Sequence, residues 1–144
     1  MKEALREAYN AFERKEVPVG AIIANSEGEI VVGYGNMNRQ LNDPTAHAEI
    51  LAIRAACKKL QSPFLLNCSI YVTVEPCAMC ASAIAAARLK RVYYGASDAK
   101  SGGVEVGARI FDHSQTHHCP EIYSGFCEDE ISTLMKRFFL NLRN

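Results

Sequence analysis

Leu5, Ala8, Tyr9 and Phe12 recur at i, i+3, i+4 and i+7 with acids and bases balanced between them. That spacing predicts an amphipathic helix over residues 2–15 with one stripe on a core. The period then changes. Residues 17–24 form an apolar run, Asn25-Ser26-Glu27-Gly28 supplies turn residues, and residues 29–34 form a second apolar run. Together they predict a hairpin whose strands are buried on both faces. A polar loop over residues 35–44 ends at Thr45, the expected N-cap of a helix through about Leu60 that Ser62-Pro63 stops.

Residues 68–74 alternate Ile70, Val72 and Val74 with Tyr71 and Thr73, the clearest strand in the chain, and Glu75-Pro76 breaks it. Alanine-rich residues 77–89 are helical by propensity, and their small side chains let another element, or a second subunit, approach closely. A short strand at 91–95, a glycine-rich segment at 101–107, a polar loop at 113–120 and a short strand at 121–125 follow. The last helix begins near Cys127, with Glu128, Asp129 and Glu130 at its positive end and Lys136, Arg137 and Arg143 towards its negative end. Ile131, Leu134, Met135 and Phe138 make its core stripe and Phe139 falls on a neighbouring face. This order predicts one α/β domain over residues 1–144, with helices on both faces of a central sheet.

At 144 residues, 49% of them apolar, the chain can bury about two thirds of its unfolded surface without disulfides. No apolar run reaches the length of a membrane span, and the charged N-terminus lacks a signal-peptide core, so a cytoplasmic protein is expected. Of the six cysteines, Cys77 and Cys80 form a CxxC, and Cys57, Cys68, Cys119 and Cys127 are expected mostly as small, reduced core residues. Because the formal net charge is zero, a nucleic-acid partner needs a local basic patch. Arg88, Lys90, Arg91, Lys100, Lys136, Arg137 and Arg143 are the candidates, and a scattered, solvated set is the alternative. The glycines of residues 102–107 lack the Lys-Ser/Thr ending of a phosphate loop.

His47-Ala48-Glu49 and, thirty residues on, Pro76-Cys77-Ala78-Met79-Cys80 carry the candidate chemistry. One imidazole and two thiols are zinc-ligand types, and a carboxylate two residues after the histidine is placed to work beside a metal. If both segments open helices, His47, Cys77 and Cys80 converge where unpaired N–H groups and the macrodipole favour thiolates. A fourth position then stays open for water, whose pKa falls from 15.7 in bulk to roughly 7–9 on zinc. Releasing ammonia from an amidine-like carbon also needs a proton moved to the ring nitrogen and the leaving amine, and Glu49 is the candidate carrier. The plainer alternative makes His47 a cap, Glu49 a solvated acid and the CxxC a redox pair or half of a structural zinc site. A four-ligand site would need Cys68, Cys119, His117 or His118, and their spacing does not call for one.

These two motifs resemble the zinc-dependent nucleoside and nucleobase (cytidine/deoxycytidylate) deaminase superfamily. Within it, residues 95–102 and the terminal helix with Phe138-Phe139 resemble the bacterial tRNA-specific adenosine deaminases. The resemblance implies a three-layer α/β/α cytidine-deaminase-like fold with a five-stranded mixed sheet, its last two strands parallel because a helix connects them. It implies conversion of the wobble adenosine of an arginine tRNA to inosine, one Zn2+ per subunit, and a homodimer that binds the anticodon stem-loop. Carried over by motif, His47, Cys77 and Cys80 hold zinc and Glu49 carries protons. Asn36 hydrogen-bonds the purine, the Ala48 backbone with Val74 and Pro76 lines the base pocket, and Asp98, Lys100 and Phe138 lie near flanking nucleotides.

For these satellites the plainer alternatives are a turn for Asn36, solvated loop charges for Asp98 and Lys100, and a core position for Phe138. The competing functions are a deaminase of a free nucleobase or nucleoside such as guanine or cytosine, and a non-catalytic zinc-binding module.

Overall fold

The computed structural model describes residues 1–144. Five strands form one mixed sheet in the order β2-β1-β3-β4-β5. β1 (Gly20–Ala24) pairs antiparallel with both β2 (Ile30–Gly35) and β3 (Ser69–Val74), whereas β3, β4 (Arg91–Ala96) and β5 (Glu121–Tyr123) run parallel. Helices cover both faces. On one, α3 (Ala48–Leu60) and α4 (Ala78–Ala86) bury Ala52, Ala56, Ala81 and Ile84 against Ile23, Ile70, Val72 and Val92. On the other, α1 (Lys2–Glu13) and α5 (Glu128–Arg143) bury Leu5, Ala8, Ile131 and Leu134 with Val74 and Ala96. The expected three-layer arrangement is therefore present, and no helix is long and apolar enough to cross a membrane.

Several boundaries differ from expectation for local reasons. β1 starts at Gly20 instead of Val17, since Pro18 has no N–H for a ladder. β2 lies at the sheet edge and is only partly covered, with Ile30 52% exposed, so burial on both faces holds for β1 and not for β2. The polar loop contains a further short helix, α2 (Asn38–Leu41), closed by Asn42 in the left-handed region. Thr45 is not the cap of α3, because its N–H and hydroxyl are both bonded to Asp43 Oδ1 at 2.8 and 2.7 Å. His47, extended at φ −70°, ψ 152°, takes the cap position. α4 ends at Ala86, three residues early, where Leu65 N–H binds Ala87 O and Arg88 turns left-handed at φ 60°.

β4 and β5 are parallel as expected, but no α-helix connects them. The crossover holds only a 3-10 turn, Ile110–Asp112, because residues 101–107 are glycine-rich and their amides are engaged elsewhere. Cys68 is buried and Cys57 half-buried, but Cys119 and Cys127 are exposed and not core residues; all six cysteines are free.

α1 lies directly on the hairpin backbone. A Cβ at Gly20 overlaps the Ala4 carbonyl and stands 2.6 Å from Ala8 N, and one at Gly35 stands 2.7 Å from Glu7 O. Gly20→Ala therefore pushes α1 off the sheet, and its urea midpoint is expected to report a loss of about 1–3 kcal/mol. An unchanged midpoint contradicts this packing.

Candidate active site

The cleft lies along one end of the sheet, where Asn36 follows β2, Val19 precedes β1, and Val74 and Ala96 end β3 and β4. Two helices point their N-termini there. His47 caps α3, Cys77 caps α4, and Cys80 is the third residue of α4. His47 Nδ1 stands 3.5 Å from Cys80 Sγ and 3.7 Å from Cys77 Sγ, with all three ligand atoms within 4.8 Å of one another. A tetrahedral zinc with ordinary bond lengths separates sulfur and nitrogen ligands by about 3.6 Å, so the donor types and their spacing fit that ion.

The electrostatics have the same shape. Cys80 donates to the Cys77 sulfur and His47 lies beside it, so the Cys77 thiol is held down at about 4 despite burial. Cys80 is pushed up by its bond to Cys77 and by burial. His47 is raised by its bond to Cys77 and, against burial, by Glu49 and the Cys77 charge. Without metal, one negative charge is shared between two sulfurs; a dication deprotonates both.

Glu49, the second residue of α3, is buried at 4% exposure beside this cluster. Burial raises its carboxyl to about 7, against its own backbone N–H and His47, which favour the charged form. The cleft itself is about 750 Å³ and is lined by Asn36, His47, Glu49, Val74, Cys77, Asp98, Lys100 and side chains of α5, among others. Asn36 is anchored, its amide donating to Asn38 Oδ1 at 2.7 Å while Asn38 donates to Asp43 O.

Comparison with known proteins gives the lineage. The family model for MafB19-like deaminase matches residues 1–143. A tRNA-specific adenosine deaminase of Agrobacterium fabrum is 48% identical, over 99% of this chain and 93% of its own. One of Rickettsia bellii is also 48% identical, over the full length of both. This chain belongs to the tRNA-specific adenosine deaminase family. A solved structure from a study of A-to-I editing by tRNA:A34 deaminases superposes with a TM-score of 0.91 at 49% identity, covering 93% of this chain and 96% of that one. As a family member the chain is an enzyme of the hydrolytic deaminase class, with the cytidine-deaminase-like fold.

Not every expected residue reaches the cleft. Asn36, Val74, Asp98 and Lys100 line it. Ala48 is fully buried, and neither it nor Pro76 is on the cleft wall. Phe138 is a core residue, 5% exposed and edge-on to Phe12 at 6.1 Å, so its neighbour Phe139 faces the cleft instead. The basic set disperses: Arg91 pairs with Glu121 at 2.7 Å, Arg88 lies over Phe64 and Arg137 over Phe12, leaving Lys100 and Lys136 at the cleft. His118 binds Leu89 O at 2.6 Å, and neither it, His117 nor Cys119 joins the metal-ligand cluster.

Sequence reasoning missed the wall made by Ser132, Met135, Lys136 and Phe139. Their i, i+3, i+4, i+7 spacing was a second stripe on α5, visible beside the core stripe. It also missed a function for Glu75, whose carboxylate collects backbone amides. Burial alone pushes that group up, but N–H bonds from Val106, Glu105, Asp98 and Val104 outweigh it and hold it below the usual range.

Raising Glu49 from 4.5 to about 7 makes folding of the metal-free protein bind a proton between those pH values. Stability is therefore unpenalised below pH 4.5, falls as pH rises to 7, and stays reduced above it. In chelator-treated protein, Glu49→Gln is expected to be more stable at pH 8 by on the order of 3 kcal/mol, with the gain vanishing towards pH 4.5. A gain independent of pH in denaturation midpoints contradicts the burial argument.

Proposed function

We propose that the chain, acting as one deaminase domain, hydrolyses adenosine to inosine at the wobble position of an arginine tRNA anticodon. His47, Cys77 and Cys80 hold one Zn2+ per subunit, and Glu49 carries the protons. The observation that supports this most is one imidazole 3.5 and 3.7 Å from two thiols, beside a buried carboxylate in a cleft of about 750 Å³. The tRNA part rests on what its relatives are named for.

Three protein donors leave a tetrahedral ion one position for solvent, and zinc, when bound, lowers the pKa of water towards about 7. The Glu49 carboxylate accepts a proton from water as its oxygen adds to C6 of the flipped base, and passes it to the adjacent ring nitrogen. A second proton from water travels through Glu49 to the exocyclic amine, which leaves as ammonia, so adenosine and water become inosine and ammonia. Glu49 accepts and then donates within one cycle, and its surroundings pull both ways: burial favours the neutral carboxyl, while its backbone N–H and His47 favour the carboxylate.

Around that centre, Asn36 presents a pre-oriented amide to the purine and Val74 lines the pocket. Ala48 and Pro76 are buried, each next in the chain to residues that line the cleft. Asp98, Lys100, Lys136 and Phe139 meet the flanking nucleotides, Phe139 by stacking and the lysines through phosphate. Phe138 backs Phe139 at 5.4 Å. The reading includes a cytoplasmic location and a homodimer; the small Ser82 and Ala86 of α4 are exposed, as are the apolar Phe64 and Leu66, which leaves surface for a second subunit.

Incubation with an anticodon stem-loop and, separately, with guanine, cytosine, adenosine and cytidine tests the substrate; turnover of a free base with none on RNA overturns the reading. Glu49→Ala is expected to retain zinc and lose about 10²–10⁴-fold or more in turnover. Cys77→Ala is expected to lose the metal, measured by atomic absorption, and stability with it.

A further inference from the structure

Glu75 has no part in the chemistry above, yet it is 3% exposed and its two oxygens gather five donors from one loop. Oε1 accepts from Ser97 Oγ at 3.1 Å and Asp98 N at 3.3 Å. Oε2 accepts from the successive N–H groups of Val104, Glu105 and Val106 at 3.1, 3.0 and 3.1 Å. No cation pairs with it, so four backbone dipoles and the Ser97 hydroxyl are what compensate the buried charge. We propose that Glu75 is a positioning residue that fixes the loop of residues 97–106 to the segment bearing Cys77 and thereby sets where Asp98 and Lys100 meet the RNA. This rests on the RNA reading above.

The loop has two limbs, and Glu75 joins them. The limb at Val104 is anchored, with Val104 4% exposed in the main core. The limb at residues 97–101 forms cleft wall. Within it, Asp98 Oδ1 accepts from the N–H groups of Lys100 and Ser101 at 3.0 Å each, so the path of Lys100 follows from the position of Asp98. Between the limbs, Gly102 bridges Cys77 and Gly103 N–H binds Pro76 O at 2.8 Å. A Cβ at Gly102 would stand 2.6 Å from both Glu75 Cδ and Asp98 O, and one at Gly103 2.5 Å from Ala78 N. Side-chain-free backbone is thus packed against a carboxylate that connects the substrate wall to the metal-ligand segment.

Glu75→Gln keeps the shape but removes the charge, and in either orientation of the amide it turns a donor towards loop donors. The variant is expected to keep one metal per chain and to raise KM for the anticodon stem-loop at least about tenfold, with kcat changing less than about threefold. Combined with Lys100→Ala, it should raise KM no further than Glu75→Gln alone, because both changes remove the same contact. Additive effects on KM, or a fall in kcat with KM unchanged, overturn the proposal. If Glu75→Gln does not fold, Gly102→Ala displaces the same carboxylate from the loop side and is held to the same outcomes.

A readout without substrate separates this from the functional reading. Amide exchange at Val104, Glu105 and Val106 should quicken at least about a hundredfold in Glu75→Gln, with the sheet amides unchanged. Unchanged exchange at these three amides overturns the positioning role even if RNA turnover falls. Absence of RNA turnover in the wild type overturns the substrate reading, leaving the exchange result to decide on Glu75.

Discussion

The constraint on which the rest depends is the meeting of two helix N-termini at one end of the sheet. An imidazole at the cap of α3 and thiols at the cap and third position of α4 face each other because both helices start where they do. Free N–H groups and the positive ends of two macrodipoles then favour the anionic sulfurs. Moving either start by one residue would turn a ligand away by about 100° of helix rotation. Thr45 illustrates how the start is protected. It is bonded to Asp43 and cannot compete with His47 for the cap.

Sheet topology explains why the cleft forms at this end. β3 and β4 are parallel, so both release their chains on the same side, into the Cys77 segment and into the loop after Ala96. β2 releases Asn36 there too, because β1 is antiparallel to both its neighbours. Open parallel sheets commonly bind ligands beyond the carboxyl ends of their strands. Here α5 supplies the facing wall while holding its core stripe against Val74 and Ala96.

What the sequence disclosed follows the range of the physics. The His47, Cys77 and Cys80 cluster was legible because each half is local: a histidine at a helix start, and an i, i+3 thiol pair at another. The period-2 strand at residues 68–74 and the stripe of α1 were legible for the same reason. Glu75 was not, because its partners lie 22 to 31 residues away and, apart from the Ser97 hydroxyl, are backbone amides, which leave no trace in side-chain pattern. Periodicity put Phe138 in the core stripe and Phe139 on a neighbouring face, and the packing of Phe138 against Phe12 agrees; it was the resemblance that set Phe138 near the nucleotides. The crossover before β5 was read through the resemblance as helical, although its glycines already argued otherwise.

On the proposed reading, chemistry and recognition are carried by different parts of the chain. The reacting centre would be residues 47–49 and 77–80, whereas much of the cleft wall belongs to residues 97–101 and 132–139, which lie outside the His47, Cys77 and Cys80 cluster. A wall substitution can therefore change which nucleotide neighbours are tolerated without disturbing the cluster, provided its support is intact. Glu75 is where that independence ends, since it holds the wall loop and is two residues from a ligand. A buried carboxylate compensated by five donors of one loop ties the two parts in a defined geometry at little cost, because each donor it engages would otherwise need a partner of its own.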